Sequence, residues 1–173
     1  IWSVSLYLAE REENQQHHIA AADAVRTQRE VVEEAIKTFS ADLRVAAGLQ
    51  SLRRFVSGDA SFLDTVAADF RLFADAHALL AQLRFIDREG VEQIRIDRWP
   101  RQRSVAVVTE LQNKALRYYF TKSINLPKGG LYLSAMDLNV EFDQVETPWR
   151  PMIRLATPVY SDQGGVAGIV VMN

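Results

Sequence analysis

Cysteine is absent from the 173 residues, which excludes disulfide scaffolds, zinc–thiolate sites, iron–sulfur clusters and thiol nucleophiles. Histidine is nearly absent: the three are His17, His18 and His77. Neighbours on a helix point about 100° apart, so His17 and His18 do not share a metal as an i, i+4 pair would. They suit a solvated helix face, and His77 suits a helix C-terminus, where a cation-capable ring complements the macrodipole. No nucleophile elbow, P-loop or dinucleotide fingerprint occurs. Gly129-Gly130 and Gly164-Gly165 stand in turn contexts, not as phosphate cradles. The chain therefore reads as non-catalytic, with no cofactor and no metal site.

Excess charge of one sign is also missing. The formal net charge of -2 excludes a strongly basic nucleic-acid binder and an acidic disordered tail. Arg98, Arg101 and Arg103 flank Trp99, but Asp87, Glu89, Glu92 and Asp97 surround them. Phosphate-driven binding needs a net positive face, so this reads as a surface loop, and no nucleic acid is expected. Nor is there an apolar run of the roughly 20 residues that a bilayer requires. The opening nine residues, with Trp2 and Tyr7, are apolar and give way abruptly to Glu10-Arg11-Glu12-Glu13. Two readings stay open for them: the last turns of a membrane helix with interfacial aromatics, or the start of an amphipathic helix.

What is present is a core. Hydrophobic residues make up 48% and charged residues 24%, as in a soluble globular domain. From Glu10 to Val56 there is no Pro and one Gly, and helix formers dominate. One long helix is predicted there, with a sticky face at Val32, Ile36, Phe39, Leu43 and Ala46. Glu33 and Lys37 stand four apart in the favourable order on its exposed side. Such a helix exceeds the usual 8 to 20 residues, so its front half is expected to project and to need a partner, a second copy or a membrane anchor. Residues 1–57 are assigned to this helix and 58–173 to a single globular module. Gly58 caps the first helix, Asp59 or Ser61 opens the next, and Phe62, Val66, Phe70 and Phe73 give that second helix a core face to about Ala78.

Short strands follow. Leu83–Asp87 and Val91–Ile96 read as a hairpin, with Asp87 and Gly90 at the ends of a type I turn. A connection over 97–113 leads to a helical segment, Glu110 to Phe120. Strands are expected at Leu131–Met136, Met152–Tyr160 and Val166–Met172, the last two joined by the turn-rich Ser161–Gly165. Val166–Met172 is apolar almost throughout, so it should be central and covered on both faces. The block Leu116-Arg-Tyr-Tyr-Phe120, followed by Leu131–Glu141, places an arginine and three aromatics beside Asp137, Asn139 and Glu141 at every second position. That combination suits either a small-ligand pocket, with Arg offering bidentate recognition of a carboxylate or phosphate, or ordinary core and rim beside a solvated loop.

"LRYYF", "GLYLSAMDLNVE" and "PMIRLATPVYSDQGGVAGIVVMN" together resemble the extracytoplasmic Cache domains (PAS-like, also called PDC) of bacterial membrane receptors, above all those of histidine kinases and diguanylate cyclases. "LRFIDREGVEQIRI" resembles the first hairpin of that fold, and the likeness covers nearly the whole chain. It implies an α+β fold: a long N-terminal helix and a five-stranded antiparallel sheet, order 2-1-5-4-3, flanked by helices. It also implies a pocket between the sheet and the excursion that carries the short helix, with Arg117, Tyr119, Tyr132, Asp137, Asn139 and Arg154 as candidate ligand-binding residues. Arg117-Tyr118-Tyr119 resembles the first half of the amino-acid-binding pattern; Ala135–Asn139 departs from the second half, lacking its tyrosine and shifting its acid. The implied function is periplasmic, ligand-sensing and non-catalytic, in a transmembrane receptor such as a sensor histidine kinase. Implied partners are a small molecule, carboxylate-bearing by the arginine argument, a second copy through the N-terminal helix, and the membrane through flanking segments. The alternative is a dimerisation or partner-docking module without a small ligand, in a receptor such as a diguanylate cyclase or chemoreceptor.

Overall fold

A computed structural model describes the backbone of residues 2–99 and 104–173 and the side chains of 21–98 and 104–173. The side chains of the opening apolar run and of His17 and His18 thus lie outside the described residues, as do Arg101 and Arg103. Two compact units are formed, Ile1–Phe39 and Ser40–Asn173. The first is wholly helical over its described part, within α1 (Trp2–Ala47). Its described side chains are largely exposed; Glu33 pairs with Arg29 at 2.6 Å, and Lys37, which reaches Glu34 at 3.4 Å, adds a weaker favourable charge to Glu33. Among the described residues no helix is long and apolar enough to cross a membrane.

The predicted single helix to Val56 is interrupted. The Gly48 N–H bonds back to the Arg44 and Val45 carbonyls at 3.0 and 3.1 Å, and Leu49 turns extended (φ -56°, ψ 136°) before α2 (Gln50–Val56) begins. The break redirects the apolar stripe: Leu43 and Ala46 close α1's buried face, and Leu52 resumes it from α2. After a 3-10 turn at Ala60–Phe62, capped by the Asp59 carboxylate on the Ser61 N–H, α3 spans Leu63–Ala76 and buries Val66, Phe70 and Ala74 at i, i+4 spacing.

The second unit is built on a six-stranded sheet. Its strands are β1 (Gln82–Asp87), β2 (Glu92–Trp99), β3 (Ser104–Val107), β4 (Tyr132–Leu133), β9 (155–160) and β10 (Val166–Met172), in the order β3-β2-β1-β10-β9-β4, with every pairing antiparallel. Without β3 this is the expected 2-1-5-4-3 order; the five-strand count is corrected to six because the stretch after Trp99 returns as an edge strand on β2. Strand β10 is central, as its apolar run requires. Gly168 lies opposite Asp87 where β10 pairs with β1, and a Cβ there would overlap the Ile86 carbonyl. Four two-residue strands complete the excursion between β4 and β9: β5 (Asp137–Leu138) pairs with β8 (Pro151–Met152), and β6 (Val140–Glu141) with β7 (Gln144–Val145).

The helix expected over Glu110–Phe120 is reduced to α4 (Tyr118–Ser123). The preceding stretch spends its backbone on the hairpin instead: the Glu92 N–H donates to Gln112 O at 3.0 Å, and the Lys114 N–H to Gly90 O at 2.6 Å. Gly90 has φ 85°, and any side chain there would overlap Ala115, so the turn glycine is what lets this segment lie close.

Side chains alternate along each strand, so register assigns two faces. One carries Leu83, Phe85, Ile94, Ile96, Val170 and Met172, all buried, toward α2 and α3, with Phe55 edge-on to Phe85 at 6.1 Å. Each such side chain contributes about 1.5–3 kcal/mol on burial. Arg98, read from sequence as part of a surface loop, donates to the Leu80 carbonyl at 3.2 Å and to that of Ala74, at the C-terminal end of α3. The opposite face carries Gln82, Arg84, Ile86, Glu92, Arg95, Asp97, Ile169, Val171 and Ala156 beneath α4 and the 110–146 excursion.

Candidate functional site

Tyr119 sits at the centre of this second face, 2% exposed, in a cluster with Ile86, Phe120, Ala156, Ile169 and Val171. Two guanidinium groups, Arg84 and Arg154, each lie 5.4 Å from its ring centroid. A cation over an aromatic face gains about 2 kcal/mol when desolvated, which offsets part of the cost of burying both arginines. The Nε–H of each has no hydrogen-bond partner among the described residues.

On one side of Tyr119, Arg154 organises a compact polar cluster. Its backbone N–H donates to Ser134 Oγ at 2.8 Å, fixing the entrance to β9. Its Nη1 donates to the Tyr118 hydroxyl at 3.0 Å and to Asp137, and its Nη2 to Asn139 Oδ1 at 3.1 Å. The Tyr118 hydroxyl in turn donates to Asp137 Oδ2 at 2.7 Å. Burial first, then the hydrogen bond to Asp137, pushes the Tyr118 phenol pKa above its ordinary value, keeping it a donor. Arg154 is 1% exposed and Asp137 36%, so the cluster presents its carboxylate, not its guanidinium, to solvent. Tyr132 stands beside it, edge-on to Tyr118 at 6.5 Å.

On the other side lies a buried ion network that sequence reasoning missed. Glu141 is its hub: Oε2 accepts from Arg95 at 2.8 Å, Gln112 at 2.8 Å and Lys114 at 3.1 Å, and Oε1 from Gln82 at 3.1 Å and Asn139 at 3.2 Å. Arg95 also holds Asp97 through two bonds, at 2.7 and 3.0 Å, and Arg84 reaches Glu92 at 3.4 Å. Burial alone would raise the Glu141 pKa, but the charges of Arg84, Arg95 and Lys114 outweigh it and hold the carboxyl far below its usual range. Lys114 is pushed down, mainly by burial and only partly restored by Glu141. Glu92 and Asp97, expected in a solvated setting, are thus buried partners of arginines.

Of the six residues anticipated from sequence, Tyr119, Asp137 and Asn139 meet Arg154 directly, and Tyr132 joins them through Tyr118. Arg117 does not. It caps α4 in extended conformation, and its side chain lines a separate cavity of about 310 Å³ with Lys114, Glu110, Asp143, Leu111 and Phe142. Asn139 joins the two polar systems, its oxygen accepting from Arg154 while its amide donates to Glu141 and to Glu146 at 2.9 Å. Among the described residues no group of three metal-binding side chains occurs.

A long helix, an antiparallel sheet of this order and a polar site beneath an excursion define a PAS-like sensor domain. Residues 20–173 match the family model described as bacterial histidine kinase, sensor domain, and the chain belongs to that family. Solved structures share the fold. A domain described as a sensory box/GGDEF family protein from Vibrio parahaemolyticus has 23% identity and a TM-score of 0.73, over 83% of this chain and 53% of that one. The extracellular domain of the histidine kinase described as vpHK1S-Z8 gives 22% and 0.73, over 83% and 50%. The ligand-binding domain of the Campylobacter jejuni chemoreceptor Tlp3, solved with 4-methylisoleucine, gives 11% and 0.63, over 87% and 55%. The chain spans about half the length of these structures. No curated protein matches it.

Proposed function

We propose that the chain is the extracytoplasmic ligand-sensing part of a transmembrane receptor, a sensor histidine kinase, and that a small carboxylate-bearing molecule enters the cavity beside Arg117. One observation carries the reading: the half-buried Arg117 side chain lines a cavity of about 310 Å³ and makes no hydrogen bond or ion pair with another described residue. Glu110 and Asp143 offer acids to an ammonium group, Leu111 and Phe142 offer apolar contact, and Lys114, held by Glu141, closes the inner side. The fold relative that holds 4-methylisoleucine supports a ligand of this size and charge. Tyr119, Tyr132, Asp137, Asn139 and Arg154 form the supporting wall, and Lys114–Glu141–Asn139 connects the cavity to them. Residues 58–173 sense; the helical segment 1–57 passes the change on and pairs with a second copy. A ligand moves that equilibrium only by binding one arrangement better than the other.

The test is thermal unfolding of the 173-residue chain with branched apolar amino acids and their deaminated acids at millimolar concentration. A rise in Tm that Arg117→Ala abolishes is expected; a rise unchanged by that substitution overturns the assignment. A second reading, a dimerisation or docking module without a small ligand, is favoured by the solid packing of Tyr119 between two arginines. Absence of any Tm response across both ligand series selects it.

A further inference from the structure

A second concavity lies away from the charged face, where the helices of the second unit meet the far end of β9. It is an open groove of about 500 Å³. Four charged side chains line it: Arg44 from the last turn of α1, Arg53 from α2, Lys128 from the turn before β4, and Asp162 from the β9–β10 hairpin. Asp162 is already engaged, accepting from Arg53 Nη2 at 2.9 Å. The hydrogen bond and charge of Arg53 hold its carboxyl below the ordinary range, with a smaller contribution of the same sign from Lys128. The side chains of Arg44 and Lys128 make no hydrogen bond or ion pair with another described residue. The groove therefore keeps two positive charges beyond those its own acid balances.

Arg44 alone would be explained by the negative end of the α1 macrodipole. That does not account for Lys128, which comes from a different element, or for the hollow that both line. We propose that this groove binds a multiply charged oxyanion, a phosphate ester or polycarboxylate, held between Arg44 on the helical side and Lys128 on the sheet side. Guanidinium and ammonium groups take such oxygens through charge-assisted hydrogen bonds, and Ser161 adds a hydroxyl to the lining. An occupant would tie the last turn of α1 to the sheet, at the break where that helix stops. The site shares no lining residue with the Arg117 cavity and stands whether or not that cavity takes a ligand.

Calorimetric titration of the whole chain with citrate and with pyrophosphate, at low ionic strength, tests it. Saturable binding is expected, weakened about fivefold by Arg44→Gln and again by Lys128→Gln. Arg117→Ala and Arg71→Gln, the latter on the exposed side of α3, should leave it unchanged. Co-sedimentation with phosphatidylglycerol vesicles separates the sources of the anion. Binding of the soluble anions without sedimentation identifies a free oxyanion; sedimentation that citrate competes away and Arg44→Gln abolishes identifies a headgroup. Binding that survives the double substitution, equal loss in Arg71→Gln, or no binding at millimolar anion overturns the proposal.

Discussion

The two faces of the sheet solve the problem of burial in opposite ways. Toward α2 and α3, strand side chains are Leu, Ile, Val, Phe and Met, held by packing that is non-directional and indifferent to pH. Toward the excursion, the same strands bury Arg84, Glu92, Arg95 and Asp97, with Lys114 and Glu141 brought from far along the chain. Three cations face three anions there, and every bond has a direction. Buried pairs of this kind add little net stability over an apolar core, yet removing one partner is severe. The apolar face is therefore what holds the module together. The charged face fixes one arrangement of α4 and the excursion, the elements that carry the candidate ligand site.

That contrast can be broken at its hub. Glu141→Ala leaves Lys114 without a carboxylate and takes from Arg95 one of its acids, and a loss of about 3–5 kcal/mol in urea unfolding at pH 7 is expected. Phe70→Ala on the other face should cost about as much, through a cavity. Their pH dependence separates them. The folded-state pKa of Glu141 is depressed, so its contribution is complete above the ordinary carboxylate range near pH 4.3 and is lost as pH falls toward its lowered value. The deficit of Glu141→Ala should thus shrink as pH falls below about 4, while that of Phe70→Ala should persist; parallel pH profiles would contradict the division of labour. Asn139→Ala, which severs the two polar systems, should cost about 1–3 kcal/mol. It should also reduce the coupling between Arg154 and Glu141 substitutions in a double-mutant cycle; equal coupling with and without Asn139 would place the connection elsewhere. Smallest is Tyr118→Phe, about 0.5–1.5 kcal/mol by urea unfolding, since Asp137 keeps its direct bond to Arg154. A larger loss would mean that the phenol, not the arginine, secures Asp137.

Sequence made the apolar face easy to read and concealed the other. Helical spacing placed Val66 and Phe70, turn chemistry placed Asp87 and Gly90, and an unbroken apolar run placed Val166–Met172 at the sheet centre. The alternation in "LRFIDREGVEQIRI" looks identical whether its polar half meets water or other charges. Only the excursion decides, and its segment at 110–117 docks by backbone bonds to Gly90 and Glu92 rather than by forming a helix. Arg154, Asp137 and Asn139 come from segments that resemble Cache domains, and the fold brings them into one hydrogen-bonded cluster. Arg117 was legible as a residue type but not in direction, since extended backbone at the start of α4 separates it from Tyr119.

Asn139 is oriented by charge at both ends of its side chain. Its carboxamide faces a guanidinium with the acceptor end and two carboxylates with the donor end. Neither isostere preserves that orientation. Aspartate keeps the contact with Arg154 but meets Glu141 and Glu146 with like charge, while leucine fits the volume and satisfies no group. Exchange of this single NH₂ for O⁻ would set three carboxylates against one another inside the fold.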